Sequence, residues 1–214
     1  MPPDLPARRA LVCVSGLIYW AGVLVQARRV RRHIGRQPNV RPRSTREKLL
    51  WAGWLIVVAV WLGQPFFAGK DSSFPATCFA PWAINAWTLV AGAMLLAAGY
   101  AGTLWCYASM GDSWRMGVNA AEKNPLVTLG PYRSVRHPIY LFQIVMLAAT
   151  VLLLPTALSV LVLAFHIVCV SIKVADEERY LLATHGQNYG DYLARTGRWL
   201  PGGLRKGAWR RSGT

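Results

Sequence analysis

Hydrophobic positions gather in five long blocks, residues 10–26, 49–68, 83–109, 139–154 and 156–172, and none of these blocks contains an Asp or a Glu. At about 1.5 Å per residue, each block spans or nearly spans the ~30 Å hydrocarbon core of a bilayer as a helix. The pattern predicts an all-α, multi-pass membrane helix bundle with five transmembrane helices. The last two blocks meet at Leu154-Pro155-Thr156. They predict a tight helical hairpin, with Pro155 making the break. No internal repeat and no Ser- or Gly-rich linker interrupts the pattern, so residues 1–214 are expected to form a single membrane domain.

Composition agrees with this reading, since 54% of the residues are hydrophobic and 15% are charged. An ordinary solvated globular enzyme is excluded on that balance. Charge placement then sets an orientation. The loop RRVRRHIGRQPNVRPRSTREK carries nine Lys or Arg, and the positive-inside rule puts it in the cytoplasm. Five spans then leave the N-terminus outside, with 110–138, 173–201 and the C-terminus cytoplasmic. On this arrangement 21 of the 24 basic residues share the cytoplasmic side.

The basic excess is therefore assigned to orientation and to anionic headgroups of the bilayer. Nucleic acid is not expected as a partner, because no aromatic platform is interleaved with the basic loop. Cys13, Cys78, Cys106 and Cys169 are widely spaced and read as small hydrophobes, with neither a disulfide nor a metal site predicted. Trp20, Trp51, Trp54, Trp82 and Trp87 lie toward block ends and predict an interfacial belt. The Arg-rich, Ala/Val/Leu-heavy composition fits a high-GC bacterium and hence its inner membrane.

Polar groups able to do chemistry fall in two stretches that flank the hairpin, 110–140 and 171–201. Both ends of a hairpin lie on one side of the membrane, so Arg136-His137 and Glu177-Glu178 are expected to meet. A structural salt bridge would account for the charges alone. It would not require His137, Pro138, Tyr140 and the Asn124-Pro125-Leu126-Val127 segment beside them.

The ordered run Leu126-Val127-Thr128, Gly130-Pro131-Tyr132, Arg136-His137-Pro138-x-Tyr140, Glu177-Glu178-x-x-Leu181, His185-Gly186-x-x-Tyr189-x-x-Tyr192 and Arg198-x-x-Pro201 resembles the isoprenylcysteine carboxyl methyltransferase family, with its related phospholipid methyltransferases. The resemblance covers roughly residues 95–201. It implies an integral-membrane enzyme that uses S-adenosylmethionine from the cytosol and a lipophilic acceptor from the bilayer. The absence of a G-x-G-x-x-G fingerprint agrees with this. Membrane sterol reductases share much of the C-terminal pattern, so an NADPH-dependent sterol or enone reductase is the alternative. Those proteins usually carry more spans ahead of the shared region than the three present here.

Carried over by residue, the resemblance implies a cofactor pocket at Asn124, Pro125, Leu126, Val127, Tyr132, His137, Pro138, Ile139, Tyr140 and Glu177, with Asn119 as a further contact at shifted spacing. Glu177 would accept from the cofactor's α-ammonium, and Tyr132 or Tyr140 would cover its adenine or sulfonium. Arg136, Lys173 and Glu178 are the catalytic candidates. A carboxylate or phosphate acceptor needs only orientation, by Arg136 and Lys173. An amine, phenol or thiol needs a base, for which Glu178 and His137 are conceivable.

Three features are read as structural. His166, inside an apolar block, is expected to be neutral and bonded to a neighbouring helix. His185 is expected at the surface. Gly92, Ala98, Gly99 and Gly102 are expected to let helices pack closely.

Overall fold

The fold is taken from a computed structural model that describes residues 3–35, 42, 44–68, 78, 80–114 and 125–202. These form six α-helices: α1 (Leu5–Ile34), α2 (Thr45–Phe67), α3 (Ala86–Met110), α4 (Pro138–Leu153), α5 (Ala157–His185) and α6 (Gln187–Arg195). Single 3-10 turns occupy Pro81–Ala83, Gly111–Ser113 and Gly130–Arg133. Among the described residues there is no strand, only an isolated parallel bridge between Val135 and Gly197.

All five predicted blocks are helical. Four of the helices, α1, α2, α3 and α5, are long and apolar enough to cross a membrane, whereas α4 is apolar but has 16 residues. That length is ~24 Å, short of a full hydrocarbon core. The outward faces of the long helices are apolar, as Leu17, Ile18 and Val25 on α1 and Leu55 and Ile56 on α2 illustrate, and such faces suit lipid.

Helix ends extend beyond the predicted blocks for readable reasons. Helix α1 starts at Leu5, with Pro6 in its first turn, and no breaker follows until Gly35 closes it at φ +69°. A left-handed glycine is a common helix stop. Helix α5 runs without interruption through Lys173 and the Asp176-Glu177-Glu178 turn until Gly186. Good helix formers fill that segment, so the acids stand on the same rod as the apolar block.

The α4–α5 hairpin turns at Leu154-Pro155 as expected. Thr156 caps α5 by accepting from the Ser159 amide at 3.1 Å, while the Ser159 hydroxyl donates to the Leu154 carbonyl at 2.6 Å and lies 2.8 Å from the Gln64 side-chain amide on α2. At the same end of the bundle Arg8 is wholly buried. It pairs with Asp4 at 2.6 Å and donates to the carbonyls of Asn85 and Leu152 at 2.6 and 3.1 Å. A flanking charge in the sequence is thus an internal staple joining α1 to the start of α3 and the end of α4.

Helix α3 lies against α4 through glycines. A Cβ on Gly92 would stand 2.7 Å from Leu153 Cγ, and a Cβ on Gly99 or Gly102 would run into Met146 or Phe142. The close packing read from these residues is present, except that Ala98 points away from it and is exposed. Helices α2 and α5 approach through Gly53, which faces Cys169 and Phe165.

The predicted tryptophan belt divides in two. Trp82 and Trp87 are exposed beside the start of α3, as a belt requires. Trp51, Trp54 and Trp20 instead form an inward run of edge-to-face rings, with centroids 5.4 Å apart for Trp51–Trp54 and 4.6 Å for Trp54–Trp20. Tyr19 extends the run to Trp61, at 5.3 and 5.7 Å. Trp51 and Trp54 are three residues apart on α2 and share the face turned toward α1 and α5, so packing decides their direction.

Candidate functional site

The segment before α4 is set by its own prolines and glycine. Gly130, at φ +59°, and Pro131 make a 3-10 turn, and Pro138 occupies the first turn of α4, where its missing N–H costs nothing. The chain after α6 straps this segment down. The Arg136 amide donates to the Gly197 carbonyl at 2.8 Å, and the Tyr192 hydroxyl donates to the Tyr132 carbonyl at 2.6 Å. His137 thereby projects at the head of α4 toward the acidic turn of α5.

The expected meeting of Arg136-His137 with Glu177-Glu178 takes place. Arg136 Nε pairs with Glu178 Oε1 at 3.0 Å, and Arg198 binds the same carboxylate. His137 lies between the acids, with Nδ1 3.6 Å from Glu177 and Nε2 3.4 Å from Glu178. The Nε2 atom is buried without a well-directed hydrogen bond. Tyr140 donates to Glu177 Oε1 at 2.7 Å, and the Lys173 ammonium sits 5.6 Å from the centre of the Tyr140 ring.

The two adjacent acids have different surroundings. Glu178 lies beyond the apolar part of α5. Burial pushes its pKa up, but His137, Arg198 and Arg136 outweigh that and hold it at about 2. So acidic a carboxylate is a poor proton acceptor near neutrality. Tyr132, buried against Cys106 and Glu177, has its phenol pushed well above the ordinary range and stays a neutral donor. Arg136 spends its donors on Glu178 and on the Leu193 and Thr196 carbonyls, so it ties the α6 strap to α5.

A cavity of about 710 Å³ opens beside this cluster, within the range of small-molecule sites. Its polar wall includes Tyr132, His137, Tyr140, Lys173 and Glu177, with Arg136 at the edge, and Pro125, Leu126, Val127 and Ile139 complete that side. Of the residues predicted from sequence, Pro138 is buried in the helix start and Glu178 stands behind Arg136, neither lining the cavity. Asn119 and Asn124 lie outside the described residues. His185, expected at the surface, is half-buried and among the lining residues.

The opposite wall was not anticipated from the sequence. It comes from Tyr19 of α1 and from Leu50, Trp51 and Trp54 of α2, facing Cys169 and Val170 of α5. Near it, Arg46 of α2 pairs with Asp176 of α5 at 3.1 Å. One available signal was the sequence Ser44-x-x-Glu47, which forms a capping box with 3.1 and 3.4 Å bonds and fixes where α2 begins. Given that start, Leu50, Trp51 and Trp54 fall on one helix face.

Residues 89–183, from α3 to the end of the acidic turn, match the model of the isoprenylcysteine carboxyl methyltransferase family. The resemblance carried by the motifs is thus borne out over that region, and the reductase alternative gains no support from it. The His185–Pro201 motifs lie beyond the matched segment. No curated protein matches the chain. Residues 89–183 are therefore similar to a family of methyltransferases, in a chain with four helices long and apolar enough to cross a membrane.

Proposed function

We propose that this protein is a membrane methyltransferase that takes its methyl group from S-adenosylmethionine and passes it to a lipophilic acceptor in the cavity between the acidic turn of α5 and the aromatic wall of α2. The observation that carries this is that one continuous cavity joins a charged wall to a Trp- and Leu-lined wall. When bound, the cofactor supplies an electrophilic methyl carried on a sulfonium.

The residues present fit that group. Glu177, on the cavity wall, offers a carboxylate to an α-ammonium, and Tyr140 fixes that carboxylate through its 2.7 Å bond. His137, with an unsatisfied buried Nε2, offers a donor to a carboxylate. The faces of Tyr132 and Tyr140 suit a cationic sulfur or a flat base. Pro125, Leu126, Val127 and Ile139 give the apolar side, and Pro138 fixes the helix start that aims His137. Asn119 and Asn124 complete the pocket that the resemblance implies.

On the acceptor side, Lys173 lines the cavity, where Arg46, Arg136 and Arg179 are engaged with Asp176 or Glu178, and would orient an anionic nucleophile. Arg136 and Glu178 act as positioning residues that lock the α6 strap against α5. An acceptor arriving as a thiol, phenol or amine would give its proton to His137, since Glu178 is held too acidic for that work. The whole chain is one membrane domain in this reading. Its N-terminus is outside, its site faces the cytoplasm of a bacterial cell, and its basic α1–α2 loop lies on anionic headgroups.

Calorimetry on the purified chain in detergent tests the cofactor reading. S-adenosylhomocysteine should bind, and Glu177→Ala should abolish binding without loss of the folded protein. No binding to the intact chain would overturn the proposal.

A further inference from the structure

Behind the main cavity, between α1, α2, α4 and α5, several buried polar atoms have no partner. Both ring nitrogens of His166, Gln143 Oε1 and Trp20 Nε1 are buried and make no hydrogen bond, and His166 is only 3% exposed. The bond to a neighbouring helix expected of His166 is therefore not made. All three side chains line one small cavity of about 20 Å³, closed by Val57, Val58 and Leu147.

Buried polar groups are rarely left unsatisfied, and a neutral imidazole brings both a donor and an acceptor. The void exceeds the roughly 10–15 Å³ that one water-sized oxygen needs. Its described lining contains no charged side chain, which selects an uncharged occupant. The small cavity also borders the large one, because Tyr19, Trp54 and Gln143 line both, and Gln143 Nε2 donates to the Tyr19 hydroxyl at 2.6 Å. Along α5, His166 lies seven residues before Lys173, roughly 10 Å deeper into the apolar part of the helix.

We propose that this cavity is a hydrogen-bonding subsite for a hydroxyl carried at the buried end of the acceptor, with His166 and Gln143 as its partners. The inference rests on the methyl-acceptor reading of the main cavity and narrows it. The acceptor is a lipophile with its reactive group near Lys173 and an alcohol about one nanometre further in, not a plain hydrocarbon tail. A hydroxyl suits the set because it donates to Gln143 Oε1 and accepts from His166 or Trp20 at once.

The test uses the full chain in detergent with S-adenosylhomocysteine present. Tryptophan fluorescence, to which Trp20 and Trp54 in the cavity walls contribute, is titrated with linear fatty acids and with their ω-hydroxy counterparts over a series of chain lengths. Within a narrow window of lengths the ω-hydroxy acid should bind ~3–10-fold more tightly than its parent. His166→Phe should erase that advantage while the parent acid binds as before, and Gln143→Leu, which also alters the main cavity, should erase it whatever it does to the parent acid. No advantage at any length, or an advantage that survives both substitutions, would overturn the subsite and leave a buried water as the occupant. S-adenosylhomocysteine binding, read separately by calorimetry, reports on the function itself. Its retention beside a flat ω-hydroxy series would sink the subsite alone.

Discussion

Glu177 and Glu178 are consecutive on α5, yet one faces the cavity and the other faces Arg136 and Arg198. Their substitutions should therefore separate. Glu177→Ala removes a cavity carboxylate and should cost cofactor affinity. Glu178→Gln breaks the anchor of the α6 strap and should cost stability first. The Glu178 pKa is depressed from its ordinary 4.5 to about 2, so its stabilisation is complete above about pH 4.5 and is lost as pH falls from there toward 2. Thermal melts should show Glu178→Gln less stable than the parent near pH 7, with the difference shrinking below about pH 4. A gap that stays constant with pH would contradict that role for the carboxylate.

Helices α3 and α4 meet through Gly92, Gly99 and Gly102, and only the absence of a side chain lets Met146 and Phe142 sit where they do. Gly99→Leu should force the two apart, and with them the His137 end of α4, at a cost of about 1–3 kcal/mol from overpacking. Detergent melts should register the loss, and cofactor affinity should fall with it. Gly63→Ala, inside α2 at a glycine whose added Cβ would meet nothing within 4 Å, is the control and should weaken neither.

Much of this arrangement was legible in the chain. Five acid-free apolar blocks and Pro155 predict the helices and the hairpin. The hairpin alone brings Arg136-His137 to Glu177-Glu178, because both ends must return to one surface. The wall built by Trp51 and Trp54 was not legible, since Trp near a helix end reads equally well as an interfacial anchor. Its inward direction depends on how α2 is rotated against α1 and α5, and no local pattern states that. The buried Arg8 was hidden for the same reason: a basic residue ahead of an apolar block looks like a flank until its carbonyl partners on α3 and α4 are seen.

The bundle as a whole is polarised, with the Arg8 staple and the hairpin turn at one end and the acidic turn, α6 and the cavity's charged wall at the other. The end of α1 and the start of α2 belong with the second end, which the proposed orientation places in the cytoplasm. In a chain with its four native cysteines replaced, a single cysteine at Asn188 of α6 should resist a membrane-impermeant maleimide in intact cells and react in inverted vesicles. One at Trp82 should behave oppositely. Matching reactivity from the other side would reverse the topology.

The central claim joins two substrates from two phases in one cavity, and the transfer itself tests it most directly. Membranes containing the protein are incubated with methyl-labelled S-adenosylmethionine and extracted into organic solvent. The label should enter the lipid extract, depend on the protein, and disappear with Glu177→Ala. An extract without label, or label that persists in the Glu177→Ala membranes, would contradict the account.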